Sequence, residues 1–230
     1  MTSREQIRQW AFELGADLCG VAPVERFEKA PQGFHPRDLF PPTRSVVVVA
    51  KRMPEGPFYC TTSTIPYTIV MNVVLTDVLR ISCLLGARIE READVVAMPV
   101  PGDPYDYWDE QQLEGKGLLS LRHAGWLAGL GVLGKNTLLT NARYGNRISL
   151  GAVLLDVELE GDPMVDSSFC SPTCHRCIDA CPVGALNGVK VTQKLCRTHS
   201  QGKTKKDEPI YICNACRKIC PNGPGMRASA

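Results

Sequence analysis

Cys170-x3-Cys174-x2-Cys177-x3-Cys181-Pro182 is followed by Cys196 and then by Cys213-x2-Cys216-x3-Cys220-Pro221. Eight of the 11 cysteines in the chain stand in these two runs, and each run closes on Cys-Pro. Cys-x2-Cys-x3-Cys-Pro with a further cysteine upstream, given twice, is the ligand pattern of two 4Fe–4S clusters. The chemistry accounts for the spacing. Thiolates separated by two residues on a tight turn reach adjacent irons of one cube, whereas a cysteine four further on points away and ligates the other cluster. The pattern assigns Cys170, Cys174, Cys177 and Cys220 to one cluster, and Cys181, Cys196, Cys213 and Cys216 to the second.

Two plainer readings compete. A zinc ion could take Cys174, Cys177, Cys213 and Cys216 as a four-thiolate site, which leaves four cysteines and both Cys-Pro signatures without a purpose. Disulfides need an oxidising compartment. The N-terminal Met1-Thr2-Ser3-Arg4-Glu5-Gln6 is polar, opens an amphipathic helix and lacks an apolar signal core, so a cytoplasmic protein is expected. The module departs from the simplest bacterial-type ferredoxin by an extra residue between Cys170 and Cys174 and by the loop between Cys196 and Cys213; neither insertion removes a ligand. Outside the pattern, Cys19 and Cys83 lie in apolar runs and read as core residues. Cys60 carries no evident role.

The chain of 230 residues has room for one good-sized domain and a small one, and its 44% hydrophobic and 22% charged residues are those of an ordinary globular protein. A net charge of +2 argues against a long phosphate footprint. Lys203-Thr204-Lys205-Lys206 is the densest basic stretch and reads as a solvated loop. The apolar stretch from Ile65 to Leu85 is interrupted by Pro66, Asn72, Asp77 and Arg80, so it is expected to be a buried helix rather than a membrane span. Ser3-x-x-Gln6 is a capping box ahead of a first helix that Gly15 ends. Strands are expected around Asp17 to Val21, Ser45 to Ala50, Ala93 to Met98 (stopped by Pro99) and Ile148 to Val157. Helices are expected over Thr68 to Leu85 and Leu118 to Leu127. Thr68, Asn72, Thr76 and Arg80 recur every four residues as one wet stripe. The elements predict an α+β chain, with an α/β layered domain over residues 1–165 and a two-cluster ferredoxin domain over 166–230.

Gly129-Leu130-Gly131-Val132-Leu133-Gly134 matches G-x-G-x-x-G, yet the residues before it read as helix rather than strand, and no acidic residue stands convincingly at a strand end about twenty positions on. Lys135 is followed by Asn136, which rules out a P-loop reading. The glycines then have two meanings that the residues alone do not separate. They permit close approach of a partner to the backbone, with Lys135, Asn136 and Thr137 adding a cation and polar groups, or they make a tight helix-to-strand connection.

The run from Ala128 through Gly129, Gly131, Gly134, Lys135, Asn136 and Thr137 to Leu139 resembles the core motif of the epoxyqueuosine reductases, and the resemblance continues through Gly145 to Leu150-Gly151-x-x-Leu154-Leu155-Asp156. Ile7 to Gly15 is similar to that family's first helix, and Phe40-Pro41-Pro42-x-x-Ser45-Val46 to the start of its strand. The resemblance implies a nitroreductase-like α/β sandwich that binds a corrinoid (cobalamin), joined to the two-cluster ferredoxin module, a plan shared with reductive dehalogenases. It implies electron flow from an external low-potential donor, such as a ferredoxin or flavodoxin, through the clusters to cobalt, and reduction of a small organic substrate. It places Gly131, Gly134, Lys135, Asn136 and Thr137 along the corrinoid pocket.

Two departures bear on function. The family's proton-donating aspartate falls here on Gly115; Glu114 or Asp109 could replace it as a carboxylic acid kept neutral by burial. The sequence given ends at Ala230, just past the second Cys-Pro, without the helical-repeat region of tRNA-acting members, which with the low net charge disfavours tRNA as substrate but leaves it open. An electron-transfer or accessory protein with no corrinoid and no catalysis of its own is the rival reading. A flavin in the first domain ranks behind both. His123 reads as a structural histidine, and Tyr105, Tyr107 and Trp108 either cover a flat cofactor or anchor a loop.

Overall fold

The valine run after Ser45 is buried on both sides because its strand lies inside a sheet flanked by helices. The computed structural model describes residues 2–102 and 107–226. Its elements begin with α1 (Arg4–Glu13), β1 (Leu18–Pro23), α2 (Pro36–Leu39), β2 (Ser45–Arg52), α3 (Gly56–Tyr59) and α4 (Ile65–Glu92). They continue through β3 (Ala97–Val100), β4 (Tyr107–Asp109), β5 (Glu114–Lys116), α5 (Leu121–Leu127), β6 (Val132–Leu133), β7 (Leu139–Thr140) and β8 (Ile148–Leu155). The cysteine-rich part carries only α6 (Arg176–Asp179), α7 (Gln193–Ser200), β9 (Gln201–Lys203), β10 (Pro209–Tyr211) and α8 (Ala215–Lys218).

The main sheet runs β1-β2-β8-β3 with every pair antiparallel. Alternation along β2 and β8 divides the core. Val47, Val49, Val153 and Leu155 meet Ile7 of α1 and Ile81, Leu85 and Ile89 of α4 on one face. Val46, Val48, Ala152 and Leu154 meet Ala124 of α5, Ala128 and Leu130 on the other. Each fully buried aliphatic side chain of this kind is worth about 1.5–3 kcal/mol. The result is a helix–sheet–helix layering that matches the mixed α+β class.

Several expectations are corrected. Helix α4 extends well beyond Thr68 to Leu85: Pro66 is tolerated in its first turn, where the backbone N–H would be unpaired anyway. Gly86 does not end it but brings it close to β3, since a Cβ there would lie 3.2 Å from the Pro99 ring. The helix is buried along one face only; Ile65, Ile69, Val73 and Leu84 are exposed on the other. By length and composition it is apolar enough to cross a membrane, yet here its inner face packs on the sheet. Asn72, Thr76 and Arg80 are exposed as the wet stripe requires, whereas Thr68 is buried, its hydroxyl accepting from the backbone N of Tyr211 at 3.0 Å. Cys83 is exposed on α4 rather than in the core, while Cys19 is buried as expected. Pro99 does not stop β3: it sits within it, opposite Val153, because β3 is an edge strand and lacks a neighbour on its far side. The first helix is capped by Ser3, whose hydroxyl accepts from Gln6 N at 3.2 Å, and Gly15 follows it at φ +101°.

The cysteine-rich segment is held on the sheet in two places. Gly145, at φ +58°, lies against the turn after Cys220; a Cβ on it would sit 2.1 Å from the carbonyl oxygens of both Asn222 and Gly223. On the other flank Phe58, Tyr67 and Tyr211 pack edge to face, at 5.5 and 6.3 Å between ring centres, and join β10 to the start of α4.

Candidate functional site

The eight cysteines of the double motif form two electrostatic neighbourhoods. Burial raises the pKa of the Cys177 thiol, reinforced by Cys220, Cys170 and Cys174. Burial likewise raises Cys220, reinforced by Cys170 and Cys174. In the second neighbourhood burial pushes Cys216 up to about 11, with Cys196 and Cys213 adding to it, and it raises Cys196, which is next to Cys213 and Cys181. The couplings link Cys177 and Cys220 to Cys170 and Cys174, and Cys196 and Cys216 to Cys213, with Cys181 acting on Cys196. Cys216 also feels Cys177, so the sets adjoin. The Cys181 sulfur accepts a hydrogen bond from Ala185 N at 3.2 Å.

Among the described residues no three histidine, cysteine, aspartate or glutamate side chains converge closely enough to hold a single metal ion. A tetrahedral zinc site, with Zn–S bonds of about 2.3 Å, needs its sulfurs about 3.8 Å apart. A cubane carries its thiolates on the outside of a body of four irons and four sulfides, so its ligands stand further apart. The eight thiols, of which Cys177 is buried and the others half-buried, are the donor type that such bodies take.

The glycine stretch turns its polar side chains toward these thiols. It forms the connection from α5 into the β6–β7 hairpin; a Cβ on Gly131 would lie 2.2 Å from Thr140 O across that hairpin, and Gly134 N donates to Leu138 O at 2.9 Å. Lys135 Nζ donates to the carbonyls of Ser171, Pro172 and Cys174 at 3.2, 2.7 and 2.9 Å. Asn136 is buried; its Oδ1 accepts from Leu138 N, and its Nδ2 reaches Cys216 O at 3.4 Å. Thr137 adopts φ +63°, and its carbonyl and hydroxyl accept from Arg122 Nη1 at 2.6 and 2.8 Å. The loop thus brackets both thiol sets, touching the first through Lys135 and the second through Asn136. The three ammonium protons have three carbonyl acceptors, so the side chains of Lys135, Asn136 and Thr137 are engaged within the protein.

The carboxylate candidates face one another across the β4–β5 hairpin, where Asp109 pairs with Glu114. Asp109 Oδ1 accepts from Gln111 N and Gln112 N, both at 2.8 Å, and closes the turn. Glu114 pairs with Lys116 at 3.5 Å and its side chain is 44% exposed. Neither side chain is fully buried. Gly115, next to Glu114 and opposite Trp108, is buried, and its backbone N and O are both bonded at 3.1 Å by the side-chain amide of Gln193, one turn before Cys196 on α7. Trp108 lies under the Arg197 guanidinium, 5.1 Å from its ring centre, and Tyr107 under Lys116 at 4.8 Å, so these aromatics anchor the hairpin. Tyr105 lies outside the described residues. His123 is exposed, with Nδ1 2.7 Å from Ser120 Oγ.

Along nearly its whole length the chain aligns with curated epoxyqueuosine reductases. That of Leadbetterella byssophila is 28% identical over 94% of this chain and 78% of its own length. The chain is a homologue of the epoxyqueuosine reductases. The Bacillus cereus enzyme is 25% identical over 96% of this chain, which spans 66% of that relative. No protein-family profile matches the chain. A solved epoxyqueuosine reductase with an epoxyqueuosine-modified tRNA-Tyr stem loop superposes with a TM-score of 0.67 at 21% identity, over 98% of this chain and 66% of that one. A reductive dehalogenase whose structure is linked to B12-dependent dehalogenation gives 0.66 at 19%, over 96% of this chain and 32% of that one. At these identities the likeness to the solved structures concerns the fold. Gln193, Tyr67 and Arg217 of this epoxyqueuosine reductase-like chain also lie beside the thiols or their helices, and no motif marks them. Tyr67 is buried beside Arg217, Cys216 and Cys213, and Arg217 donates to Asn146 O.

Proposed function

We propose that the chain is an iron–sulfur oxidoreductase that passes electrons through two 4Fe–4S clusters to a second site where an organic substrate is reduced. The observation that carries this reading is the gathering of the eight cysteines into two adjoining sets of four. On this reading residues 1–165 are the nitroreductase-like layer and residues 166–230 the two-cluster ferredoxin module, in the cytoplasm. Cys170, Cys174, Cys177 and Cys220 hold one cluster; Cys181, Cys196, Cys213 and Cys216 hold the other. The clusters supply one-electron transfer between an external low-potential donor, such as a ferredoxin or flavodoxin, and the second site. The protein's own work is positional: Lys135 pins the carbonyls of the first ligand loop, Asn136 reaches the second, and the Phe58–Tyr67–Tyr211 group shields the second set from water.

A corrinoid is the second-site group that the B12-linked relatives suggest. The donors of Lys135 and Asn136 are directed at protein carbonyls and the Thr137 hydroxyl accepts from Arg122, so we derive no step through it. This engagement, with the incomplete burial of Asp109 and Glu114, favours the second reading, an electron-transfer or accessory protein without a corrinoid. The tRNA stem loop held by a solved relative keeps tRNA as a substrate candidate beside a small organic molecule.

Anaerobic reconstitution followed by cobalamin titration tests both readings. About eight irons per chain are expected from two cubanes, with EPR signals of two coupled clusters. A stoichiometric base-off cobalt signal then supports the reductase; full iron without cobalamin binding supports the electron carrier. Iron content near zero with bound zinc would sink both.

A further inference from the structure

Where β2 ends and β8 begins, a cavity of about 490 Å³ opens between the sheet and the segment that follows Cys220. Three arginines, Arg52, Arg143 and Arg147, share its wall with Asp17, Glu55 and Tyr144. Arg147 is only 5% exposed, and its Nε and Nη1 have no hydrogen-bond partner. Its guanidinium lies 4.4 Å from the centre of the Phe58 ring, and the Glu55 carboxylate stands 3.7 Å from Nη1, an ion pair beyond hydrogen-bonding distance. The neighbouring Asn146 side chain is buried and also lacks partners at both its oxygen and its nitrogen. A guanidinium remains charged at any physiological pH, and buried donors left unpaired are costly unless something occupies them.

The charge around the cavity is unbalanced. Asp17 is already matched: its Oδ2 accepts from Arg52 N at 2.9 Å and pairs with Lys51 at 3.4 Å. Glu55 also accepts from the Tyr59 hydroxyl at 3.2 Å. Three guanidinium groups therefore face one remaining carboxylate. Arg52 and Arg143 are exposed and sit at the rim, with Arg143 5.0 Å from the Tyr144 ring centre. The volume falls within the roughly 300–1,000 Å³ of small-molecule sites, and planar bidentate recognition of carboxylate or phosphate is what arginine does best.

We propose that this cavity binds a small organic oxyanion, a carboxylate or a phosphate ester, seated against Arg147 and closed over by Arg52 and Arg143. The site stands apart from the glycine loop and does not depend on the redox reading. It does adjoin the redox module: Pro224 lines it, and Arg147 lies within electrostatic reach of Cys220.

The test uses the full chain, anaerobically reconstituted, titrated separately with inorganic phosphate and with malonate by calorimetry. Saturable binding is expected, weakened tenfold or more in Arg147→Met and Arg143→Ala, partly retained in Arg147→Lys, and unaffected in Lys205→Ala. Response to malonate alone assigns a carboxylate ligand, response to phosphate alone a phosphate ester, and both the shared oxyanion chemistry. Should Arg147→Met fail to fold, shown by lost iron and an altered circular dichroism spectrum, the rim variants Arg143→Ala and Arg52→Ala carry the test. Absence of saturable binding by both probes, or binding that the rim variants leave unchanged, overturns the proposal. Neither result touches iron content, so failure here is separable from failure of the cluster assignment.

Discussion

Lys135→Met removes the ammonium that joins the glycine loop to the first ligand loop while keeping a flexible stem of similar length. Three carbonyls, those of Ser171, Pro172 and Cys174, lose their donor. A hydrogen bond to a charged group is worth about 1.5–3 kcal/mol net. Lys135 is half-buried and the freed carbonyls of Ser171 and Pro172 lie in exposed residues that water can reach, so solvent recovers most of the loss. About 2–3 kcal/mol remains for the three together, which corresponds to a 30- to 150-fold larger population of the undocked loop at about 1.4 kcal/mol per decade. The assay is anaerobic release of iron to a ferrous chelator. Lys135→Met should show two phases: about half of the iron leaves faster by that factor, and the rest leaves more slowly because Asn136 still holds the second set. Lys135→Arg should fall between Lys135→Met and the unmodified protein. Release of all iron in one phase at the unmodified rate would refute the view that Lys135 clamps the first ligand loop.

Three further predictions rest on separate features. Cys177→Ala should lose the first cluster, about four of eight irons, and loosen the whole cysteine-rich segment, since ligation and folding are coupled there; retention of full iron content would show the ligand assignment to be wrong. Gly145→Ala forces a Cβ against two carbonyl oxygens at positive φ, which should cost about 2–5 kcal/mol from backbone strain and overpacking together, read as a lowered unfolding midpoint in denaturant. Thiol alkylation of the native holoprotein should follow the environments of the three cysteines outside the motif. The backbone N–H groups of Ser63 and Thr62 hold the half-buried Cys60 below the usual thiol pKa, so it reacts before Cys19 as pH rises. Burial pushes Cys19 up to about 12, so its thiolate is scarce across the whole accessible range and it stays unmodified until the protein unfolds; modification of Cys19 at pH 8 before Cys60 would contradict both assignments.

Some of this was legible in the residues, and the divide follows physical range. Cysteine spacing is a local record of ligand geometry, so the eight cysteines stand out as ligand candidates from the sequence alone. The buried strand at Val46 to Val49 was legible because two-sided burial leaves an unbroken apolar run. The extent of α4 was not: Pro66 and Gly86 look like breaks in isolation, and only the first-turn position of one and the nearness of β3 to the other make them compatible with helix. Cys83 looked like core because its neighbours are apolar, but α4 presents an apolar outer face that no periodicity in its polar residues discloses. The glycine loop suggested a cofactor pocket because lysine and asparagine are ligand-binding types. Their actual partners are backbone carbonyls some 36 to 80 positions away, and carbonyls leave no trace in sequence. Arg147 was silent for the same reason: its isolation is a property of what surrounds it.

The late arrival of β8 sets an order of assembly. β2 and β3 are both finished by Val100, but neither touches the other; each waits for β8, whose last residue pairs with Ser45 and Ala97 at once. Such long-range pairing is slow to form, and until it forms the nascent chain presents open strand edges of the kind chaperones recognise. The first cysteine of the double motif is synthesised shortly after that strand. Iron would therefore be offered to a chain whose supporting sheet has only just become able to close, and conditions that slow β8 docking should yield apoprotein before they yield aggregate.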